Sequence, residues 1–320
     1  MNVLLTGETG YIGQHLLRTL VARGHTVTCC VRNPSAFRIP KGAEAHVSLY
    51  KVDFVKMAEG QRVPGTFDVA YYLIHSMAAS TDSFDDMETR SAENFLSLTQ
   101  DCKLKQIIYL SGISNDTALS KHLSSRLHVE AVLQGGTAAL TVLRAGIIVG
   151  AGSASFELIR DIVEKLPVMI TPKWLKTRCQ PIAIGNVLEF LVGVALQPQY
   201  YDQSFDIGGK EILSYKEMLL GFAKVRGLRR TIWTVPVMTP RLSSYWLYFV
   251  TSVSYPLAVN LVNSMKVDVI CKPNHLAEDL KIKLIPYPEA ITLALSLYEG
   301  DGLISSWKDA LSSSYAGSGL

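Results

Sequence analysis

MNVLLTGETGYIGQHLLRTLVARGHTVTCCVRNP, residues 1–34, decides the fold. Val3 to Thr6 is an apolar run short enough for a buried strand. Gly7, Gly10 and Gly13 follow at three-residue intervals, and Ile12, Leu16, Leu17, Leu20 and Val21 then repeat with helical period. Gly24 ends that helix, and a second apolar run, Val27 to Val31, comes almost at once. Strand, glycine turn, helix and strand make one βαβ unit. The first glycine permits a tight turn, the second lets main-chain N–H groups approach a pyrophosphate, and the third lets helix and strand pack closely. The anion then sits at the positive end of a helix.

The unit predicts a dinucleotide, held by Gly7, Thr9, Gly10, Tyr11, Ile12 and Gly13. The position after the second strand says which one. An acidic residue there would hydrogen-bond the ribose 2′-hydroxyl of NAD, whereas an arginine accommodates the 2′-phosphate of NADP. The residue is Arg32, followed by Asn33, so NADP(H) is expected over NAD(H).

Outward from this stretch, Val47–Val52, Asp68–Ile74, Gln106–Leu110, Leu140–Leu143 and Gln203–Ile207 read as further strands, and Phe84–Cys102, Leu123–Leu133, Ser155–Lys165 and Asn186–Leu196 as helices, with Asn186 as N-cap. Cys179–Ile184 reads as extended, and the chain beyond Ser214 as helical with proline interruptions. Strands separated by helices mean a parallel sheet covered on both faces, an α/β doubly wound fold. The expected organisation is a Rossmann domain over residues 1–155 and about 180–207, a smaller, mostly helical lobe over 156–179 and 208–312, and a frayed tail at 313–320.

Composition narrows the class. The 320 residues are 48% hydrophobic and 18% charged, with a formal charge of +3, too slight to argue for nucleic acid. Five cysteines form no CxxC pair, which reads as a reduced, cytoplasmic, metal-free protein. No signal peptide is expected, since Val3 already opens a strand pattern. Leu242 to Met265 carries no charge over 24 residues but includes Pro256, two asparagines and five serines. It reads as a buried helical pair lining a pocket, with membrane-surface contact as the other use. The oligomeric state is left open.

Ligands of such sheets lie past the carboxyl ends of the strands. That places Asp53 and Phe54 near the adenine, Leu73, His75 and Ser76 near the ribose, and Ser111 near the reacting end.

TGETGYIG, VRNP, YKVDF, YYLIHSM, IIYLSGIS, KHLSSRLHVE, TVLRAGIIVG, PIAIGNV and FDIGG, in this order, resemble the extended and atypical short-chain dehydrogenase/reductase superfamily. AGSASFELIR, LPVMITPKW, RCQPIAI and VPVMTPRLSSYW are similar, more narrowly, to bacterial NAD(P)-binding, nucleoside-diphosphate-sugar-epimerase-like proteins. The resemblance spans residues 1 to 300 and implies a catalytic tyrosine and lysine at YxxxK. Here His122 stands at the tyrosine position and Arg126 at the lysine position, and the family's serine falls near Gly112. Arginine can anchor ribose hydroxyls but cannot relay a proton, whereas histidine can act as an acid near neutrality. The catalytic candidates are therefore His122, Arg126 and Ser111. Tyr72, Arg144, Arg178, Tyr245 and Trp246 are the substrate-side candidates, and the uncharged second lobe favours an apolar small molecule. Three functions compete: an NADP(H)-dependent oxidoreductase, a non-catalytic NADPH-binding sensor or structural protein, and a nucleotide-sugar epimerase or dehydratase.

Overall fold

The structure, a computed structural model, describes residues 1–74, 84–113, 121–235 and 267–299. Its frame is a seven-stranded sheet of β1 (Asn2–Thr6), β2 (Thr26–Val31), β3 (Val47–Lys51), β4 (Val69–Tyr72), β5 (Gln106–Gly112), β6 (Ala139–Ala145) and a late strand, Gln203–Ile207. The spatial order is β3-β2-β1-β4-β5-β6 and then the late strand, with parallel pairing throughout. The order reverses between β1 and β4, and ligands of open parallel sheets bind at that switch point. Val3 is in register with Val27 on one side and Val69 on the other.

Period-two alternation sends side chains to two apolar layers. Val3, Leu5 and Tyr71 join one cluster with Leu16, Leu17 and Leu20 of α1 (Tyr11–Ala22) and Val187, Phe190 and Leu191 of a later helix, Ile184–Gly193. Leu4, Ala70 and Tyr72 join the other with Ala92, Phe95 and Leu98 of α2 (Phe84–Thr99) and Val129 and Leu133 of α3 (Lys121–Gln134). Two buried polar side chains of the sheet are paired. Thr6 donates its hydroxyl to the Tyr71 carbonyl and accepts the Leu73 N–H, both at 3.2 Å, clamping β1 to β4. Gln106 donates to Thr141 and Val194 and accepts from Leu196.

A third cluster holds the later part of the chain together: Phe156, Ile159 and Val163 of α4 (Ala154–Lys165), Met218 and Phe222 of the helix Tyr215–Val225, and Ile291 and Ala294 of the last described helix, Tyr287–Glu299. Ser153 caps α4 and Ser214 forms a capping box with Glu217. The last helix is tied in by the Tyr287 hydroxyl, which donates to the Met218 carbonyl at 3.1 Å. Farther along, the Tyr298 hydroxyl accepts the N–H of Gly152 at 2.9 Å, its ring stacks on Phe156, and the Arg160 guanidinium lies 4.6 Å from its centre.

The structure corrects several expectations here. Among the described residues this part of the chain is mostly helical, but Val168–Pro172 pairs in parallel with Thr231–Val235, a strand where the pattern beyond Ser214 read as helical. The extended stretch at Cys179–Ile184 is two short strands, Arg178–Cys179 and Ile182–Ala183. Asn186 is not an N-cap: the helix starts two residues earlier, and the amide donates to Glu189 and the Lys283 carbonyl while accepting the Ile285 N–H. Among the described residues no helix is long and apolar enough to cross a membrane, and 242–265 lies outside them.

Candidate functional site

The glycine loop is built as its spacing predicts. Gly7 has φ +71°, and a Cβ there would stand 2.3 Å from the Leu73 carbonyl oxygen, so only glycine lets β1 turn under the end of β4. A Cβ on Gly13 would lie 2.2 Å from the Gly7 oxygen and 2.7 Å from the Glu8 Cα, so the third glycine brings α1 against its own loop. Around Gly10 a Cβ would meet only the Gly7 oxygen, at 3.1 Å, leaving its outer side open to an approaching group. Gly10 is also the N-cap of α1, which has no side-chain cap and no acidic residue in its first turn. Thr9 and Ile12 flank this cradle half-buried. An uncapped helix start beside an open glycine is suited to an anion.

At the end of β2, Arg32 is exposed. Asn33 accepts from the Ser35 N–H and hydroxyl, at 3.2 and 2.7 Å, and so shapes the turn. Asp53, past β3, accepts the Val55 N–H at 3.0 Å. Phe54 packs against Phe95 in the core, and its carbonyl receives the Asn94 amide at 2.7 Å, so its side chain is a core group. Leu73 is buried at the end of β4, while His75 and Ser76 lie outside the described residues.

Glu8, inside the glycine loop, was not singled out in the sequence. It is 2% exposed, and its Oε2 has no hydrogen-bond partner among the described residues. Burial raises its carboxyl to about 8, against the opposing effects of its own main-chain N–H and of Arg32. Two further buried side-chain atoms lack a partner among the described residues, the Tyr11 hydroxyl and His15 Nε2. Burial, reinforced by Arg18, lowers His15 to about 4, and burial, reinforced by Glu157, pushes the Tyr11 hydroxyl up. The two rings meet edge to face at 4.8 Å. All three unpartnered atoms fall in eight consecutive residues around the cradle. Buried polar groups are nearly always bonded, so such a cluster is a candidate place for a ligand or an ordered water to supply the partners.

The other end of the site departs from the family's pattern. A Cβ on Gly112 would lie 2.0 Å from Arg126 Nη1, so the Arg126 guanidinium packs directly on the position where the family carries its serine. Ser111 is buried and shares a hydrogen bond with Tyr109. The Tyr109 hydroxyl is pushed up to about 12 by burial, against that bond and the charge of Arg126. His122 lies one turn before Arg126 on α3, and its side chain is outside the described residues.

Three substrate-side candidates have structural partners instead. Tyr72 is 1% exposed and packs edge to face on Phe95 and Tyr109, at 5.1 and 5.8 Å, which makes it a core residue. Arg144 is bonded through Nη2 and Nε to Glu130, at 2.5 and 3.3 Å, and that carboxylate also receives the Ser204 hydroxyl. Arg178 is exposed and closes on Asp268 through Nε, Nη2 and its main-chain N–H, at 3.0, 2.9 and 2.8 Å. Tyr245 and Trp246 lie outside the described residues. Among the described residues no group of three His, Cys, Asp or Glu could hold a metal ion.

Comparison with known proteins agrees with this geometry. Residues 3–117 match the model of the NAD dependent epimerase/dehydratase family. Cinnamoyl-CoA reductase 2 of Medicago truncatula is 26% identical over 119 residues, 35% of this chain and 34% of that protein. Dihydroflavonol 4-reductase of Callistephus chinensis is 27% identical over 121 residues, 34% of this chain and 33% of that one. The match thus spans about a third of the length of either reductase. The fold extends much farther. A nucleoside-diphosphate-sugar epimerase from Staphylococcus aureus superposes with a TM-score of 0.70 at 14% identity, over 91% of this chain and 99% of that one. The Bordetella bronchiseptica enzyme WbmG, in complex with NAD, gives 0.70 at 14% over 96% of both chains. The chain therefore has the same fold as these two enzymes, and the sequence of its first third is similar to the NAD dependent epimerase/dehydratase family.

Proposed function

We propose that this chain binds NADP(H) and acts as an oxidoreductase on an apolar carbonyl compound. The observation that carries the reading is the cradle: a glycine loop with no room for side chains at Gly7 and Gly13, an uncapped helix start behind Gly10, and Arg32 exposed at the end of β2. When bound there, the nicotinamide ring supplies or accepts a hydride. The protein's own contribution is positional and electrostatic. Arg126, against Gly112, holds a fixed positive charge over the end of β5, where it can donate hydrogen bonds to a ribose hydroxyl or a substrate oxygen. It cannot release a proton, so His122, one turn earlier on α3, is the proposed acid. The later part of the chain, residues 156–179 and 208–312, is the proposed substrate side. Arg144 and Arg178 are held by carboxylates, which argues against a diphosphate-bearing sugar substrate at those two positions.

A non-catalytic NADPH-binding role is the second reading. It is favoured by the replacement of the family's proton-relaying pair, with an arginine filling the serine's place. The same replacement weighs against an epimerase, whose chemistry needs a base at the sugar hydroxyl. Calorimetry with NADPH and NADH tests the shared premise. NADPH should bind the more tightly, and Arg32→Asp should weaken it by about tenfold or more while sparing NADH. Absence of heat from either coenzyme would overturn the proposal.

A further inference from the structure

Arg32 is not the only charged group at the adenosine end. Glu8 sits between the first two glycines, at the carboxyl edge of the sheet, and its electrostatic neighbours are Arg32, Cys29 and Cys30 at the end of β2. One carboxyl oxygen is held by the residue's own main-chain N–H, and the other has nothing. A packing role does not account for a carboxyl in a loop otherwise made of small residues. Leaving its free oxygen buried and unpaired is costly, and a ligand hydroxyl would relieve that cost. In a βαβ cradle the hydroxyl that comes to the end of β2 is the adenosine 2′-OH, and a carboxylate is its usual acceptor.

We propose that Glu8 is a specificity-determining residue that reads the 2′ position of the adenosine ribose in competition with Arg32. As a carboxylate it accepts from the 2′-hydroxyl of NAD(H) and repels a 2′-phosphate. As a neutral acid it donates to that phosphate, which Arg32 then holds. The inference rests on the coenzyme reading above and adds that preference depends on the protonation of one buried side chain. Among the described residues, no other group that acts on the carboxyl changes charge at neutral to mildly alkaline pH. Arg32 stays cationic. Cys29 and Cys30 are both buried, which pushes their thiols well above the ordinary range and keeps them neutral. The 2′-phosphate, as a monoester, is fully ionised above about pH 7 and adds no titration of its own there.

The test is isothermal calorimetry with NADPH and NADH on the full chain at half-unit steps from pH 7 to 9.5, for the wild type, Glu8→Gln and Glu8→Ala. The expected result is that the NADPH/NADH affinity ratio of the wild type falls by about tenfold or more across the range. In both variants it should stay flat, on the side of NADPH. The wild-type profile needs no variant and remains decisive if a substitution fails to fold. A ratio that does not move with pH, or moves equally in Glu8→Gln, overturns the inference while leaving coenzyme binding intact. Absence of binding by both coenzymes overturns the coenzyme reading and this inference with it.

Discussion

Glu8→Gln should stabilise the coenzyme-free protein, and increasingly so as pH rises. The folded chain holds the Glu8 proton up to about 8, whereas an unfolded chain releases it near 4.5. Between these values the unfolded state binds fewer protons than the folded one, so the wild type loses stability steadily from about pH 4.5 to pH 8 and levels off above. At 1.36 kcal/mol per unit the accumulated loss is about 3–5 kcal/mol. Glutamine does not titrate, and its buried amide adds only a cost that is the same at every pH. The two proteins should therefore lie within about 1 kcal/mol of each other at pH 5, with the variant ahead by about 3–5 kcal/mol at pH 9, roughly 4–8 °C in Tm for a chain of this size. Urea denaturation followed by tryptophan fluorescence, at pH 5, 6, 7, 8 and 9, measures the difference. Stability curves that run parallel across this range would refute the reasoning, since they would mean that the carboxyl ionises in the folded protein as it does in water.

The crowding at the two ends of the site gives further tests. Gly112→Ala should cost stability only while Arg126 is present. A double-mutant cycle with Arg126→Ala should show about 1–2 kcal/mol of coupling, and additivity would remove the guanidinium from that position. Gly13→Ala meets main chain rather than a movable side chain, so it should cost about 1–3 kcal/mol in a thermal melt and abolish coenzyme heat in calorimetry.

All seven strands of the main sheet were legible in the sequence, and the central ones, buried on both faces, appear as short apolar runs. The three glycines were legible because the tight turn and close approaches they serve follow from spacing alone. The strand at Thr231–Val235 was not: it follows a helix closely, and its partner, Val168–Pro172, lies more than sixty residues earlier, so no local pattern announces it. Tyr72 and Arg144 were misread because position at a strand end does not say which way a side chain turns. Alternation sends Tyr72 into the aromatic layer, and Glu130, fourteen residues before Arg144, captures its guanidinium. Glu8 was overlooked for a related reason. In the string TGETG it looks like a solvated turn residue, and only the folded loop reveals that its carboxyl is enclosed.

The contact between Tyr298 and Gly152 has a consequence for the order in which the molecule is completed. The stretch around Gly150–Gly152 is bounded on one side by the Tyr11 hydroxyl, which a Cβ on Gly150 would approach to 2.3 Å, and on the other by a tyrosine 146 residues later. During synthesis the first half of the chain emerges with its sheet and glycine loop able to assemble. One wall beside that loop nevertheless stays unbraced until Tyr298 has left the ribosome. A nascent chain stalled before Tyr287 would thus have the floor of the glycine loop but an unfinished side.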